Sequence, residues 1–221
     1  MIDVSAFWMV VGRRTPWAAL GGVALVCGVA TALWASVNDG MGELVLVLRL
    51  DALAVAAVAA TCLEDGAEEL TASAPVGMAR RRVASVAMTG AMGALAWLAI
   101  AVFVGLTSGR TGELPLGGLL IEVAALISVG WVLAAMITST LGWRGSGVRA
   151  TAAVSVLTVC TVFTPRTLDW LWSGPSPAWR IVHVRWSVIG LVSLAGFLLL
   201  SRDPARRQIL SVPAERSKLP T

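Results

Sequence analysis

The stretch "PLGGLLIEVAALISVGWVLAAMITST", Pro115–Thr140, decides the fold class, because Glu122 is its only charged residue. A helix needs about 20 predominantly apolar residues to cross a hydrocarbon layer roughly 30 Å thick. Apolar and polar residues do not alternate here, as they would in a strand of a membrane barrel. The stretch therefore predicts a membrane-spanning helix with Glu122 in its outer third.

Similar apolar runs recur along the whole chain. Of its 221 residues, 57% are hydrophobic and 14% are charged, and the mean hydropathy is +0.81. Soluble proteins average about 25% charged residues. The fold class predicted is an all-α integral membrane protein with six transmembrane helices, at Trp17–Val37, Leu44–Cys62, Val83–Gly105, Pro115–Thr140, Val148–Thr164 and His183–Leu200.

The basic residues indicate how these helices are oriented. With the N-terminus inside, twelve of the 17 lysines and arginines fall in inner segments and four in outer ones. This bias fits the positive-inside rule and predicts a multi-pass plasma-membrane protein with both termini cytoplasmic. An excess of basic residues distributed in this way reflects topology and contact with the lipid bilayer, and no nucleic-acid partner is expected.

The segments outside the spans suggest three parts of the chain. Residues 1–16 resemble an amphipathic interfacial helix, 17–200 form the transmembrane domain, and 201–221 form a disordered cytoplasmic tail. The outer segment Thr164–Trp186 contains three prolines, which break it into two short amphipathic pieces. An ordinary surface loop with aromatic anchors is the alternative for that segment.

The inner loop between spans two and three is unusually charged. Its apolar residues repeat at spacings of four, three and four, and its acidic residues fall on the opposite face. Pro75 ends the pattern, and Arg80–Arg82 lead into span three. We predict a short helix parallel to the inner membrane face that docks a partner; a solvated connector is the alternative. The stripe is Leu63, Ala67, Leu70 and Ala74, and the acidic face is Glu64, Asp65, Glu68 and Glu69.

Two adjacent stretches carry a family resemblance. "LVLRLDALAVAAVAA" (46–60), followed by "LEDGAEELTASAPVGMARRRVASV" (63–86), resembles the second span and coupling loop of type-2 ABC exporter permeases. The resemblance implies a coupling helix that docks cytoplasmic ABC ATPase subunits, which bind ATP and Mg, and a second permease copy or a paralogue as dimer partner. It implies that the docking residues are Leu63, Glu64, Asp65, Glu68, Glu69 and Leu70.

The chemistry of an enzyme is missing from the sequence. There is one lysine, Lys218, and no G-x-x-x-x-G-K-[ST] motif, so any ATPase is a separate polypeptide. One histidine and three scattered cysteines do not provide a zinc site. The chain is expected to be no enzyme by itself and to hold no metal. His183, at the outer end of span six, is typical of a snorkelling or capping residue.

Three ionisable residues within the spans are the candidates for substrate contact or gating, because charge in a membrane is costly. Arg49 and Asp51 are two residues apart and so do not share a helix face; they either pair with other spans or lie near the outer headgroups. Glu122 either faces an internal cavity or stabilises the start of its helix. Trp97 and Trp131 lie deeper in their spans, where they either pack or line a cavity.

The predicted function is export of a hydrophobic or amphipathic substrate (drug, lipid, peptide or natural product), driven by the separate ATPase. Two alternatives remain at this point. One is a non-transporting scaffold or immunity-type membrane protein that docks a cytoplasmic partner through the same acidic loop. The other is a proton-coupled secondary transporter, which requires Asp51 or Glu122 to be buried and titrating.

Overall fold

The computed structural model describes residues 17–61, 78–141, 146–163 and 179–201, and these residues are almost entirely helical. Six helices occur within them, in the order in which the apolar runs predict them. Their bounds are α1 Trp17–Ala35, α2 Met41–Ala60, α3 Met78–Ser108, α4 Leu116–Leu141, α5 Ser146–Phe163 and α6 Trp179–Leu200.

Four of the described helices are long and apolar enough to cross a membrane, namely α1, α4, α6 and the part of α3 from Arg82 to Ser108. They indicate a multi-pass membrane protein. α2 lies between two of them in the chain and carries Glu43, Arg49 and Asp51. α5 is 18 residues long, or about 27 Å at a rise of 1.5 Å per residue.

The centre of the bundle is formed by α2 and α4. α2 packs against α1, α3, α4 and α5, whereas the principal contacts of α6 are with α4. Within their most apolar windows, 56% of the residues of α4 are buried but only 22% of those of α1 and of α6. α1 and α6 lie at the periphery of the bundle and expose leucine and valine side chains, which suits a hydrocarbon environment.

Small residues bring the helices close together at two points. A Cβ atom placed on Gly190 of α6 would lie 3.2 Å from the Cα of Ala125 in α4. One placed on Gly130 of α4 would lie 3.2 Å from the Cβ of Ala60 in α2. Such close backbone approach at glycine and alanine is the usual packing of membrane helices, which gain no hydrophobic driving force from one another.

α3 is much longer than a span requires. Its 31 residues measure about 46 Å, against a hydrocarbon layer of about 30 Å. Gly93 lies beside Val55 and Ala59, near the end of α2, and α3 reaches back from there to Met78. This reach is about 22 Å along the helix axis. The N-terminal part of α3 therefore extends well beyond the end of α2.

The apolar part of α3 begins at Arg82, next to the predicted start of span three at Val83, and the helix itself begins earlier, at Met78. The predicted start of span six needs correction: it was placed at His183, but α6 begins at Trp179. Residues 179–186, assigned to the broken outer segment, are thus the first two turns of α6. The predicted interfacial helix 1–16, the docking residues 63–70, the outer residues 164–178 and the tail from residue 202 lie outside the described residues.

Candidate functional site: a buried charge cluster

Arg49 and Glu122 form an ion pair inside the bundle. The Nε of Arg49 donates to Oε2 of Glu122 at 2.6 Å, and its Nη2 donates to Oε1 at 2.7 Å. The side chains are only 4% and 1% exposed. This two-bond arrangement matches the planar guanidinium to the carboxylate and is the strongest geometry available to such a pair. It joins α2 to α4.

His183 adds α6 to the same cluster. Its Nε2 lies 3.1 Å from Oε1 of Glu122, and its Nδ1 lies 2.7 Å from the carbonyl oxygen of Trp179, one turn earlier. The indole of Trp179 lies 4.1 Å from the imidazole, centroid to centroid, and the Arg49 guanidinium carbon lies 5.6 Å from the Trp179 ring centroid. Arg49 and His183 therefore meet at the Glu122 carboxylate, and Trp179 packs against both of them.

The prediction that His183 is a snorkelling or capping residue was wrong. Its ring is buried, because it packs against the backbone of α4 where Gly118 leaves room. A Cβ on Gly118 would lie 2.6 Å from Nε2 of His183. Gly118 and Glu122 are four residues apart and so share one face of α4. That face forms a shallow recess with a carboxylate at its inner end.

The cluster lies toward one end of the bundle. Arg49 is eight residues from the start of α2, Glu122 six from the start of α4, and His183 four from the start of α6. These positions correspond to roughly 6–12 Å along the helices. The even-numbered helices start at the same end, so the cluster ties three N-terminal ends together.

Asp51 takes part in a separate contact on the opposite face of α2. The hydroxyl of Thr31 in α1 donates to its Oδ2 at 2.8 Å, and the thiol of Cys27, one turn earlier in α1, is also a neighbour. Both Asp51 and Thr31 are buried. The two-residue spacing of Arg49 and Asp51 thus directs them to different helices, which is the first of the two alternatives that the sequence left open. Neither side chain faces the lipid headgroups.

Two tryptophans also bind α2, through its backbone. The indole Nε1 of Trp97 donates to the carbonyl of Leu48 at 2.9 Å, and that of Trp131 donates to the carbonyl of Ala59 at 3.3 Å. Both rings are buried. Packing, and not the lining of a cavity, is therefore the role of these side chains. Each satisfies its N–H in the apolar interior, where an unpaired donor would be costly.

The cluster has a limited chemical repertoire. A carboxylate, a guanidinium and an imidazole can hold charge and orient one another, but no nucleophilic side chain belongs to the cluster itself. Within residues 17–61, 78–141, 146–163 and 179–201, no group of three metal-ligating side chains was found. The described contacts hold α2, α4 and α6 in one arrangement.

Sequence reasoning identified Arg49, Asp51 and Glu122 but missed His183, Trp179 and Thr31 as their partners. His183 had one available signal: it is the chain's only histidine, one turn after a tryptophan. Thr31 is a polar residue in an apolar run, which is a weaker signal because a helix satisfies most such hydroxyls by itself. Comparison with protein-family models, with curated proteins and with solved structures yields no match to this chain.

Proposed function

We propose that this chain is the permease subunit of an ATP-driven exporter of the type-2 ABC class, with all six helices crossing the membrane. Burial of Arg49 and Asp51 against other helices supports a membrane location for α2, because its central charges do not face lipid. α2 packs against three of the four apolar helices as well as α5, and α5 packs against α4 and α2. Both termini would then be cytoplasmic, in agreement with the distribution of basic residues.

The observation that carries the proposal is the length of α3. The extension beyond the end of α2 is separated from the acidic segment 63–70 by seven residues and includes positions 80–82, which are arginines. A helix that continues rigidly from the membrane to a charged loop is a lever: a force on the loop moves the helix inside the bundle. An exporter needs such a connection, because its ATPase lies outside the membrane.

The proposed division of labour follows from this lever. Cytoplasmic ABC ATPase subunits bind ATP and Mg, and the residues Leu63, Glu64, Asp65, Glu68, Glu69 and Leu70 dock them. A second permease copy or a paralogue completes the dimer. Arg49, Glu122 and His183 hold the N-terminal ends of α2, α4 and α6 together at the opposite end, as a gate that opens when α3 moves. The substrate is hydrophobic or amphipathic.

Affinity purification of the tagged chain from native membranes, followed by mass spectrometry, tests the proposal. We expect a stoichiometric ATPase that is lost when Glu64, Glu68 and Glu69 are changed to lysine. Glu43→Lys is the matched control, because Glu43 is an exposed carboxylate at the other end of α2. Recovery of the triple variant with its ATPase, or a wild-type sample without an ATPase, would contradict the proposal. A stoichiometric partner that is not an ATPase would instead support the scaffold alternative.

A proton-coupled secondary transporter is the second candidate, and one observation favours it: Asp51 and Glu122 are both buried within the bundle. Buried carboxylates in membrane spans are typical of proton pathways. Reconstitution into vesicles with an imposed proton gradient separates the two candidates. Substrate movement that needs the gradient, needs no ATP and is lost in Asp51→Asn would favour this second candidate. Movement that needs ATP and its ATPase would favour the first.

A further inference from the structure

A groove runs along the outside of the contact between α4 and α6. It encloses about 330 Å³, the small end of the range for sites that hold a ligand. Its floor is made of small residues and its walls of large ones. The floor includes Ala124, Ala125 and Gly190, and the walls include Ile121, Leu191 and Leu194.

The surface of the groove is apolar although two serines line it. The hydroxyl of Ser128 donates to the carbonyl of Ala124 at 2.8 Å, and that of Ser187 donates to the carbonyl of His183 at 2.8 Å. Both hydroxyls are therefore turned back onto their own helices. The floor and walls of the groove can therefore contact a hydrocarbon chain, and neither serine hydroxyl needs a hydrogen bond from it.

The depth of the groove suits one leaflet of a bilayer. Its residues lie between Ile121 and Ser128 on α4 and between Trp186 and Leu194 on α6. Measured from the starts of those helices, this range is about 8–22 Å along the axis. Half of a hydrocarbon layer of about 30 Å is about 15 Å thick, so an extended chain that enters from the interface would reach the part of the groove nearest the helix starts.

A positive charge stands above the groove. Arg180, Val184, Ser187 and Leu191 follow one another at helical spacing on α6, so the face that lines the groove leads outward to Arg180. Arg180 is exposed in the first turn of α6, and no carboxylate partner of it occurs among the described residues. An arginine at this level extends toward headgroups and pairs with a phosphate in a bidentate manner.

We propose that the α4–α6 groove binds an anionic phospholipid of the bilayer, with an acyl chain along Ala124 and Leu191 and the phosphate against Arg180. The charge of Arg180 identifies the headgroup class, and the apolar floor identifies the chain. This site is separate from the charge cluster and does not depend on the proposed export function. It places a bound lipid beside the two helices that His183 and Glu122 hold together.

Native mass spectrometry of the full-length purified chain tests the site, with phosphatidylglycerol or phosphatidylcholine added to the micelles. We expect one retained phosphatidylglycerol, bound at least tenfold more tightly than phosphatidylcholine. Ala124→Trp fills the groove and should weaken retention at least tenfold. Val188→Trp is the matched control, because Val188 is exposed on α6 but does not line the groove. Arg180→Gln should make the two lipids equal, and Arg180→Lys should keep part of the preference.

Three results would overturn the proposal. They are full retention of phosphatidylglycerol by Ala124→Trp, an unchanged lipid preference in Arg180→Gln, and a dimer that Ala124→Trp dissociates, which would show that a second copy occupies the groove. If the tryptophan variants do not fold, Arg180→Gln decides the matter alone, because its exposed side chain is not part of the packed bundle. Absence of an ATPase partner would leave all of these measurements unaffected.

Discussion

Removing the Glu122 carboxylate should destabilise the protein strongly. In Glu122→Gln the volume is almost unchanged, but the Arg49 guanidinium, whose side chain is 4% exposed, loses the carboxylate that accepts two of its hydrogen bonds. Breaking a buried pair by removing one partner costs about 3–5 kcal/mol. In this variant the carboxylate beside His183 is also lost. We expect the free energy of unfolding to fall by at least about 3 kcal/mol.

A double-mutant cycle distinguishes this pair from general damage to the bundle. Arg49→Met combined with Glu122→Leu removes both charges together, and replacing a buried pair by apolar residues is often close to neutral. The double variant should therefore be more stable than either of its single variants. Reversible unfolding in mixed micelles, followed by tryptophan fluorescence, measures all four corners. Strictly additive single effects, or a loss below about 1 kcal/mol in Glu122→Gln, would refute the reasoning.

Three further substitutions test neighbouring contacts, each by the same unfolding measurement. Gly118→Ala should cost about 1–3 kcal/mol because its methyl group collides with His183. Gly117→Ala, with open space around it, should be neutral or stabilising. Equal effects of the two substitutions would contradict the close packing of His183 against Gly118. Thr31→Val should cost about 1–3 kcal/mol because the buried Asp51 carboxylate loses its hydrogen-bond donor. Thr31→Ser keeps the hydroxyl and should retain most of the stability. A valine variant as stable as the serine variant would argue against the Thr31–Asp51 hydrogen bond. Trp97→Phe removes the indole donor to the Leu48 carbonyl of α2 and should cost about 0.5–1.5 kcal/mol. No loss in Trp97→Phe, beside a large loss in Trp97→Ala, would show that packing alone matters.

The helices could be predicted from the sequence because the apolar runs are long and uninterrupted. Their ends were less certain, since hydropathy indicates where the hydrocarbon lies and not where a helix stops. Residues 78–82 are "MARRR", which favours a helix but not a membrane interior, so the true start of α3 lies outside its apolar run. The start of α6 at Trp179 was missed because residues 179–182 were assigned to a short amphipathic piece of the broken outer segment.

The charge cluster could be predicted only in part. That Arg49 and Asp51 point in different directions follows from the helical repeat alone. That Glu122 is the partner of Arg49 depends on which helices are neighbours, and 73 residues separate the two in the chain. Burial of His183 depends on a glycine in a different helix, Gly118, and no pattern within α6 reports it. Contacts between distant segments are decided by tertiary packing, which local periodicity does not encode.

In the proposed topology α2 crosses the membrane, and its two buried charges then bear on how the chain is inserted during synthesis. An arginine or aspartate at the centre of an inserting helix disfavours partitioning by about 2.5–3.5 kcal/mol each, while each leucine or valine returns only about 0.3–0.6 kcal/mol. α2 therefore enters lipid poorly by itself, and its polar partners Thr31 and Glu122 reside on α1 and α4. Thr31 precedes α2 out of the ribosome, but Glu122 follows it. We expect α2 to stay at the insertion machinery until α4 has been made, so that ribosome stalling before residue 122 would leave it extractable from the membrane.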